Sequence, residues 1–465
     1  MKRILLLLLA LCPGFLGAQD SVIRSLFQDP AFQKRLAYSF AINTEIEPVI
    51  QSAELQQDYT ALAQMAGSDP ARAAGLLKQI VADESASAQF NTLLGNIYFQ
   101  ADKKKEAAAQ FLIAIKKFPN FLRAHQSLAV IYLQANRPEQ AKEHFTRVVE
   151  LGGASGDIYG LLGAVYTQLE DWVAAETAFR NAVMLLPRQK QWKLGLVQAL
   201  FAQQRFQEAA NLLQPLIENH PDEEQYWTLQ ATAYLGQQEY LKAAGNYEIL
   251  AGLGKATPEM LTTLADIYVN EDLNSLAAET YVRAYESSPG TGVETSLRAA
   301  EILMQKKALP EAHTLLSKAQ STAGDALATE DKVRLLKLEA KVAFAEDPQS
   351  VEGREKLEQV VNVYDPLDGD AFILLGQYYE RTPDAEGKPQ NELAMEMYKD
   401  AAEDEEMLPL ANFRHAQLIQ RIYPKDLSRI REAITLLKAA QSMKESDKVG
   451  DYLEDLERYA KSLGS

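Results

Sequence analysis

The chain alternates apolar and polar positions with helical spacing, and the alternation itself repeats. Alanine stands at Ala73, Ala107, Ala141, Ala175, Ala209, Ala243 and Ala277, always 34 residues apart. Four residues after each come Leu77, Phe111, Phe145, Phe179, Leu213, Tyr247 and Tyr281; nine before come Gln64, Tyr98, Tyr132, Tyr166, Leu200, Tyr234 and Tyr268. Small residues precede the alanine by twelve in Ala61, Gly95, Ala129, Gly163, Ala231 and Ala265, with Val197 the exception. A period of this length marks a stacked array rather than a single core.

Each period predicts two amphipathic helices. From Ala88, the residues Leu94, Tyr98 and Ala101 recur at helical spacing, Asp102-Lys103-Lys104 makes a polar turn, and Ala107, Phe111, Ala114 and Ile115 form a second stripe. Small residues at the crossing let two antiparallel helices approach, aromatics fill the space between neighbouring pairs, and Pro119, Pro187, Pro221 and Pro289 stop the second helix. Looser copies follow: Ala312, Leu316 and Ala319; Leu357 and Val360, with Gly353 in the alanine place; Leu375, Gly376, Tyr379, Ala394, Tyr398 and Ala401 with a longer turn; and Ala433, Leu437 and Ala440.

The string LLGNIYFQADKKKEAAAQFLIAIKKFPN, Leu93 to Asn120, resembles the tetratricopeptide repeat at its Leu-Gly, Tyr, Ala, Phe, Ala and Pro positions. That resemblance implies an all-α superhelical solenoid of about eleven helix-turn-helix units with helical caps. The divisions expected are a signal peptide at 1–18, an N-terminal helical cap at 19–53, a regular array at 54–292, a less regular one at 293–450 and a C-terminal capping helix at 451–465. Ser321 to Glu330 reads as a small-residue linker, and Arg381 to Asn391, with Pro383, Gly387 and Pro389, as an overlong inter-helix loop.

The N-terminus sets the expected compartment. Lys2 and Arg3 precede an apolar run from Ile4 to Leu11, and Pro13-Gly14 breaks it before Gly17-Ala18, the arrangement of a cleavable secretory leader. The run is far shorter than the ~20 residues that span a bilayer, so no integral membrane segment is expected after cleavage. Cys12, the single cysteine, lies in the leader behind Leu11, where a lipid-anchoring site would need a small residue. The mature chain then has no disulfide and no thiolate.

Charge and motifs narrow the chemistry. Lys+Arg 47 against Asp+Glu 64 gives a net charge of -17, a field that repels phosphate backbones, so nucleic acid is not an expected partner. The five histidines, His125, His144, His220, His313 and His415, show no short metal-ligand spacing and read as surface or turn residues. Gly252-Leu253-Gly254-Lys255-Ala256-Thr257 lacks both the first glycine and the hydroxyl residue of a phosphate loop and falls where a unit must turn. The acidic runs Asp222 to Glu224 and Glu403 to Glu406 lack a calcium loop's alternating oxygen ligands. No catalytic, cofactor or metal site is expected, and the chain does not read as an enzyme.

What remains is surface. In tetratricopeptide proteins, exposed positions of the first helices line a concave groove that takes a protein partner as an extended segment or a helix. Carried onto this chain, the resemblance implies Gln89, Thr92, Asn96, Phe99, Arg123, Gln126, Leu133, Gln191, Gln198, Phe201, Gln225 and Thr228 as groove residues. The leader together with FPNFLRAH from Phe118, DIYGLLGAVY from Asp157 and QWKLGLVQALFAQ from Gln191 resembles exported tetratricopeptide proteins associated with TonB-type energy-transducing systems. This implies a periplasmic scaffold; the alternative is an assembly factor or accessory subunit for an envelope polysaccharide or other cell-envelope enzyme complex.

Overall fold

The computed structural model describes residues 47–287, 292–323, 327–444 and 446–463. The expected leader and almost all of the expected N-terminal cap lie outside these residues. The described chain is all-α, and it divides into two compact units that meet between Asn246 and Tyr247.

The first unit contains α1 (Ala53–Ser68), α2 (Pro70–Val81), α3 (Ala88–Gln100), α4 (Lys104–Lys117), α5 (Leu122–Gln134), α6 (Pro138–Glu150), α7 (Gly156–Gln168), α8 (Trp172–Leu185), α9 (Lys190–Ala202), α10 (Phe206–Asn219) and α11 (Glu224–Gly236), and the boundary falls inside α12 (Tyr240–Gly252). In the second unit come α13 (Pro258–Asn270), α14 (Asn274–Ser287), α15 (Gly292–Gln305), α16 (Leu309–Ala323), α17 (Thr329–Glu346) and α18 (Val351–Gln359). It continues with α19 (Gly369–Arg381), α20 (Asn391–Ala401), α21 (Leu408–Ile422), α22 (Leu427–Met443) and α23 (Asp447–Leu463). Among the described residues the helices pair in order, giving eleven hairpins and a last single helix, the all-α solenoid class that the period predicts.

The packing explains the residue types. Every alanine of the 34-residue series is fully buried. Opposite it sits the small residue: a Cβ added at Gly95 would lie 2.8 Å from Phe111 Cε1, and one at Gly163 2.7 Å from Phe179 Cδ1. The aromatic four residues after the alanine thus lies flat on the bare backbone of the first helix, and a larger residue there would push the helices apart. In the first unit a continuous core runs from Leu122 to Tyr226, and in the second one of the clusters extends from Ile373 to Leu456.

A feature the residue types do not advertise closes each first helix. Asp102, Asn136, Glu170, Gln204, Gln238, Asp272 and Lys307 all have φ between 54° and 62°. The next residue's N–H returns to the carbonyl of the residue nine before the alanine, as Lys103 to Tyr98 at 2.8 Å, Asp171 to Tyr166 at 3.0 Å and Leu273 to Tyr268 at 2.8 Å. These are Schellman closures with a non-glycine residue in the left-handed region. That conformation costs an L-residue about 1–2 kcal/mol, and glycine escapes it for about 0.5–1 kcal/mol of chain entropy. Glu170→Gly should therefore stabilise the first unit by about 0.5 kcal/mol in urea unfolding, whereas Glu170→Val should destabilise it.

Three connections differ from simple turns. The linker expected from Ser321 to Glu330 is shorter, because α16 runs on to Ala323 and α17 begins at Thr329; nothing in the sequence before Gly324 breaks a helix. Helix α18 ends in a π-turn over Val360–Tyr364, which no sequence signal announced. The loop after Arg381 folds around Asp384, whose Oδ1 accepts from the N–H groups of Glu386 and Lys388, with Gly387 at φ 78°. Gly252 to Thr257 is the turn expected there: Gly254 has φ 70° and Thr257 caps α13 by accepting from the Met260 N–H.

Candidate functional site

First helices touch one another in the first unit, α1 with α3, α3 with α5 and α7 with α9. This places their remaining face on the inner side of the stack. Along it the implied groove residues have unequal exposure. Asn96 and Gln225 are exposed, and Gln89, Phe99, Gln191, Gln198, Phe201 and Thr228 are half-buried. Thr92, Gln126 and Leu133 are buried, Gln126 to 6% and Leu133 to 2% exposure, so these three do not present open surface. The Thr92 and Thr228 hydroxyls also turn back onto their own helices, donating to Ala88 and Glu224 carbonyls.

The structure brings two of these residues onto one stretch of chain. The Gln89 side-chain amide donates to the Pro48 carbonyl, and Arg123 Nε lies 2.8 Å from Glu47 Oε1. Gln89 opens α3 and Arg123 opens α5, in equivalent places one period apart, so the irregular stretch ahead of α1 lies across successive first helices. Burial raises the Glu47 carboxyl above its ordinary value, while the Arg123 charge opposes that rise.

A second cluster was not legible as a site. Contrary to the reading of scattered surface histidines, His125 is buried and pairs with His144, Nδ1 to Nδ1 at 2.9 Å. His125 Nε2 lies 3.0 Å from the Pro119 carbonyl, which only accepts, so Nε2 carries the proton and His125 Nδ1 accepts from His144 Nδ1–H. Tyr132 stacks on His144 with ring centroids 5.6 Å apart. The pair borders a depression of about 540 Å³ lined also by Lys142, Glu143, Arg147, Glu150 and Tyr166. Among the described residues, no three histidine, cysteine or carboxylate side chains gather as metal ligands.

Burial pushes both imidazoles below their ordinary value; the Pro119 carbonyl and Glu143 oppose this at His125, and His125 itself adds to it at His144. The folded pair therefore binds fewer protons than the unfolded chain, and stability rises with pH until it is complete above about 6.5. It is lost as pH falls below that value. Urea midpoints measured from pH 7.5 to 5 should fall for wild type and fall less for His125→Gln/His144→Gln. His415, also depressed by burial, is common to both proteins and cancels.

Residues 60–120 and 127–190 match one tetratricopeptide-repeat family model, and residues 166–233 match another. Residues 60–120 and 127–233 thus carry the tetratricopeptide-repeat pattern. Among curated proteins, 97 residues are 27% identical to the general transcriptional corepressor trfA of Dictyostelium discoideum, covering 21% of this chain and only 7% of that protein. Similar solved structures include a tetratricopeptide repeat protein from Parabacteroides merdae, 17% identical over 53% of this chain and 98% of that one, with a TM-score of 0.35. Another is the repeat protein YrrB, described as having an unusual peptide-binding site, 20% identical over 43% of this chain and 94% of that one, with a TM-score of 0.34. The Naa15/Naa10 structure bound to HypK-THB matches 88% of this chain and 66% of that one at 14% identity and a TM-score of 0.42. The matched residues take in α3, α7 and α9 and most of α5, first helices of the inner face described above.

Proposed function

We propose that this chain is a non-enzymatic scaffold that binds a protein partner as an extended segment along the inner face of its first unit. One observation carries this reading. The face already holds a stretch of polypeptide by the bonds such recognition needs, a side-chain amide of Gln89 on a backbone carbonyl and Arg123 on a carboxylate. Amide side chains at Asn96, Gln191, Gln198 and Gln225 continue the same chemistry along α3, α9 and α11. Each pairing contributes a modest, directional ~1 kcal/mol that depends little on salt.

The setting is proposed from the leader: export to the periplasm, with an accessory role in a TonB-type energy-transducing system as its finer form, supported by the strings at Phe118, Asp157 and Gln191. Among the described residues no helix is long and apolar enough to cross a membrane. The test is capture of partners from intact envelopes by wild type and by Asn96→Ala/Gln198→Ala/Gln225→Ala. Each substitution should move stability by less than about 0.5 kcal/mol, because none of the three side chains is buried. Capture should fall all the same; undiminished capture moves the site off this face.

A further inference from the structure

The histidine pair of the third hairpin plays no part in the groove chemistry above, and its geometry is specific. His125 Nδ1 and His144 Nδ1 are 2.9 Å apart, and their ring centroids are 5.1 Å apart. The difference is close to two ring radii, so the line between the nitrogens runs on through both ring centres. Their in-plane lone-pair axes therefore point at each other, with one proton, that of His144 Nδ1, held between them. Ligands for a tetrahedral or octahedral ion would instead converge on a point beside that line. Among the described residues no third histidine, cysteine or carboxylate joins the pair to complete such a set. Two opposed imidazoles offer linear coordination, the geometry of the closed-shell monovalent ions copper(I) and silver(I), and imidazole nitrogen suits copper.

We propose that His125 and His144 bind one such ion in place of the proton between them, each ring through Nδ1. His125 is already set as a ligand. Its Nε2–H donates to the Pro119 carbonyl at 3.0 Å, the outer hydrogen bond that orients metal-binding histidines, and this leaves Nδ1 unprotonated. His144 is the partner that moves. Metal–nitrogen bonds of about 2.0 Å put the two nitrogens about 4 Å apart, so the rings must separate by about 1 Å. His144 is half-buried, borders the 540 Å³ depression and lies within 10° of parallel to the Tyr132 ring, along which it can slide. Buried His125 keeps its place on Pro119 throughout. The proton of His144 Nδ1 passes to Nε2 of the same ring, so binding to the neutral pair releases none.

The surrounding charge suits a single positive ion. Of the cations that line the depression, Arg147 is bonded to Glu150 and Lys142 to Glu139, both at 2.8 Å. Glu143, which also lines it, has no ion-pair partner among the described residues. It favours positive charge on both imidazoles, against the opposing effect of Arg147 on His125.

Silver(I), stable in air, is the probe. Full chain carrying Cys12→Ser, which removes the single thiol, is labelled with nitrogen-15 at histidine and titrated with silver nitrate in chloride-free buffer at neutral pH. The Nδ1 signals of His125 and His144 should shift together, saturate at one ion per pair and both show coupling to silver. The His144 proton should appear on Nε2, and His220, His313 and His415 should stay unmoved. The methionines can take silver without touching these signals, so the readout belongs to the site. His125→Gln or His144→Gln should each remove the coupling from the ring that remains. Zinc(II) at the same concentration should shift neither ring. Silver uptake with neither ring shifted, a shift of one ring without the other, or zinc(II) that binds the pair as tightly as silver(I) would each overturn the proposal.

Discussion

Phe179→Ala should cost the first unit about 3–5 kcal/mol, the largest loss expected from any single substitution considered. The ring is held from two sides. A Cβ at Gly163 would lie 2.7 Å from its Cδ1 and one at Gly195 2.5 Å from its Cε1, so Phe179 fits between the first helix of its own hairpin, α7, and that of the next, α9. Truncation leaves a hole that neither rigid helix can fill by moving, since each is fixed by its own packing, α7 through buried Leu161 and Val165 and α9 through buried Val197. Because stacked repeats unfold by neighbouring interfaces, exchange protection should be lost first in α7 to α9. Met184→Ala on the outer side of α8 is the control, with a change below about 0.5 kcal/mol. Urea unfolding decides it: a loss under about 1 kcal/mol would mean the ring is not the spacer between these hairpins.

The second large effect lies in the second unit. Tyr281, fully buried, donates its hydroxyl to Asp266, and burial is the main cause raising both groups above their ordinary values. Tyr281→Phe removes a donor from a carboxylate that stays in place, a loss of about 1.5–3 kcal/mol. The pH dependence has a definite sign. A carboxyl raised in the folded state gives stability that is present below its unfolded value near 3.8 and lost as pH rises through the folded value. The hydrogen bond from Tyr281 holds that rise down, so without it Asp266 climbs further and the variant weakens more steeply. The gap between variant and wild type should widen from acid to neutral pH. A gap that narrows would mean Asp266 is not the partner that matters.

These two sites show how unevenly the structure was written in the sequence. The alanines, small residues and aromatics carry the hairpin crossings because only their volumes fit, and volume leaves a period that can be read directly. The left-handed turn residues left none: Asp102, Asn136, Glu170, Gln204 and Lys307 share a conformation but no chemistry. The histidine pair was hidden by its 19-residue separation, although the repeat held the clue. In α3 and α4, Asn91 bonds Gln110, and Asn246 of α12 donates to the Trp227 carbonyl; His125 and His144 stand in the same register. Polar residues at those two places of one period signal a buried pair across the hairpin. Groove exposure was less legible, since Gln126 and Leu194 hold equivalent positions, as do Val130 and Gln198, yet the first of each pair is buried and the second half-buried.

The central claim is that the inner face of the first unit binds a partner independently of the core that builds it. Melting and partner capture, measured on the same preparations of wild type, Asn96→Ala/Gln198→Ala/Gln225→Ala and Phe179→Ala, test it most directly. The account predicts that the triple variant melts with wild type and loses capture, while Phe179→Ala captures below its lowered melting transition and fails above it. A triple variant that melts with wild type and captures as well would contradict the account.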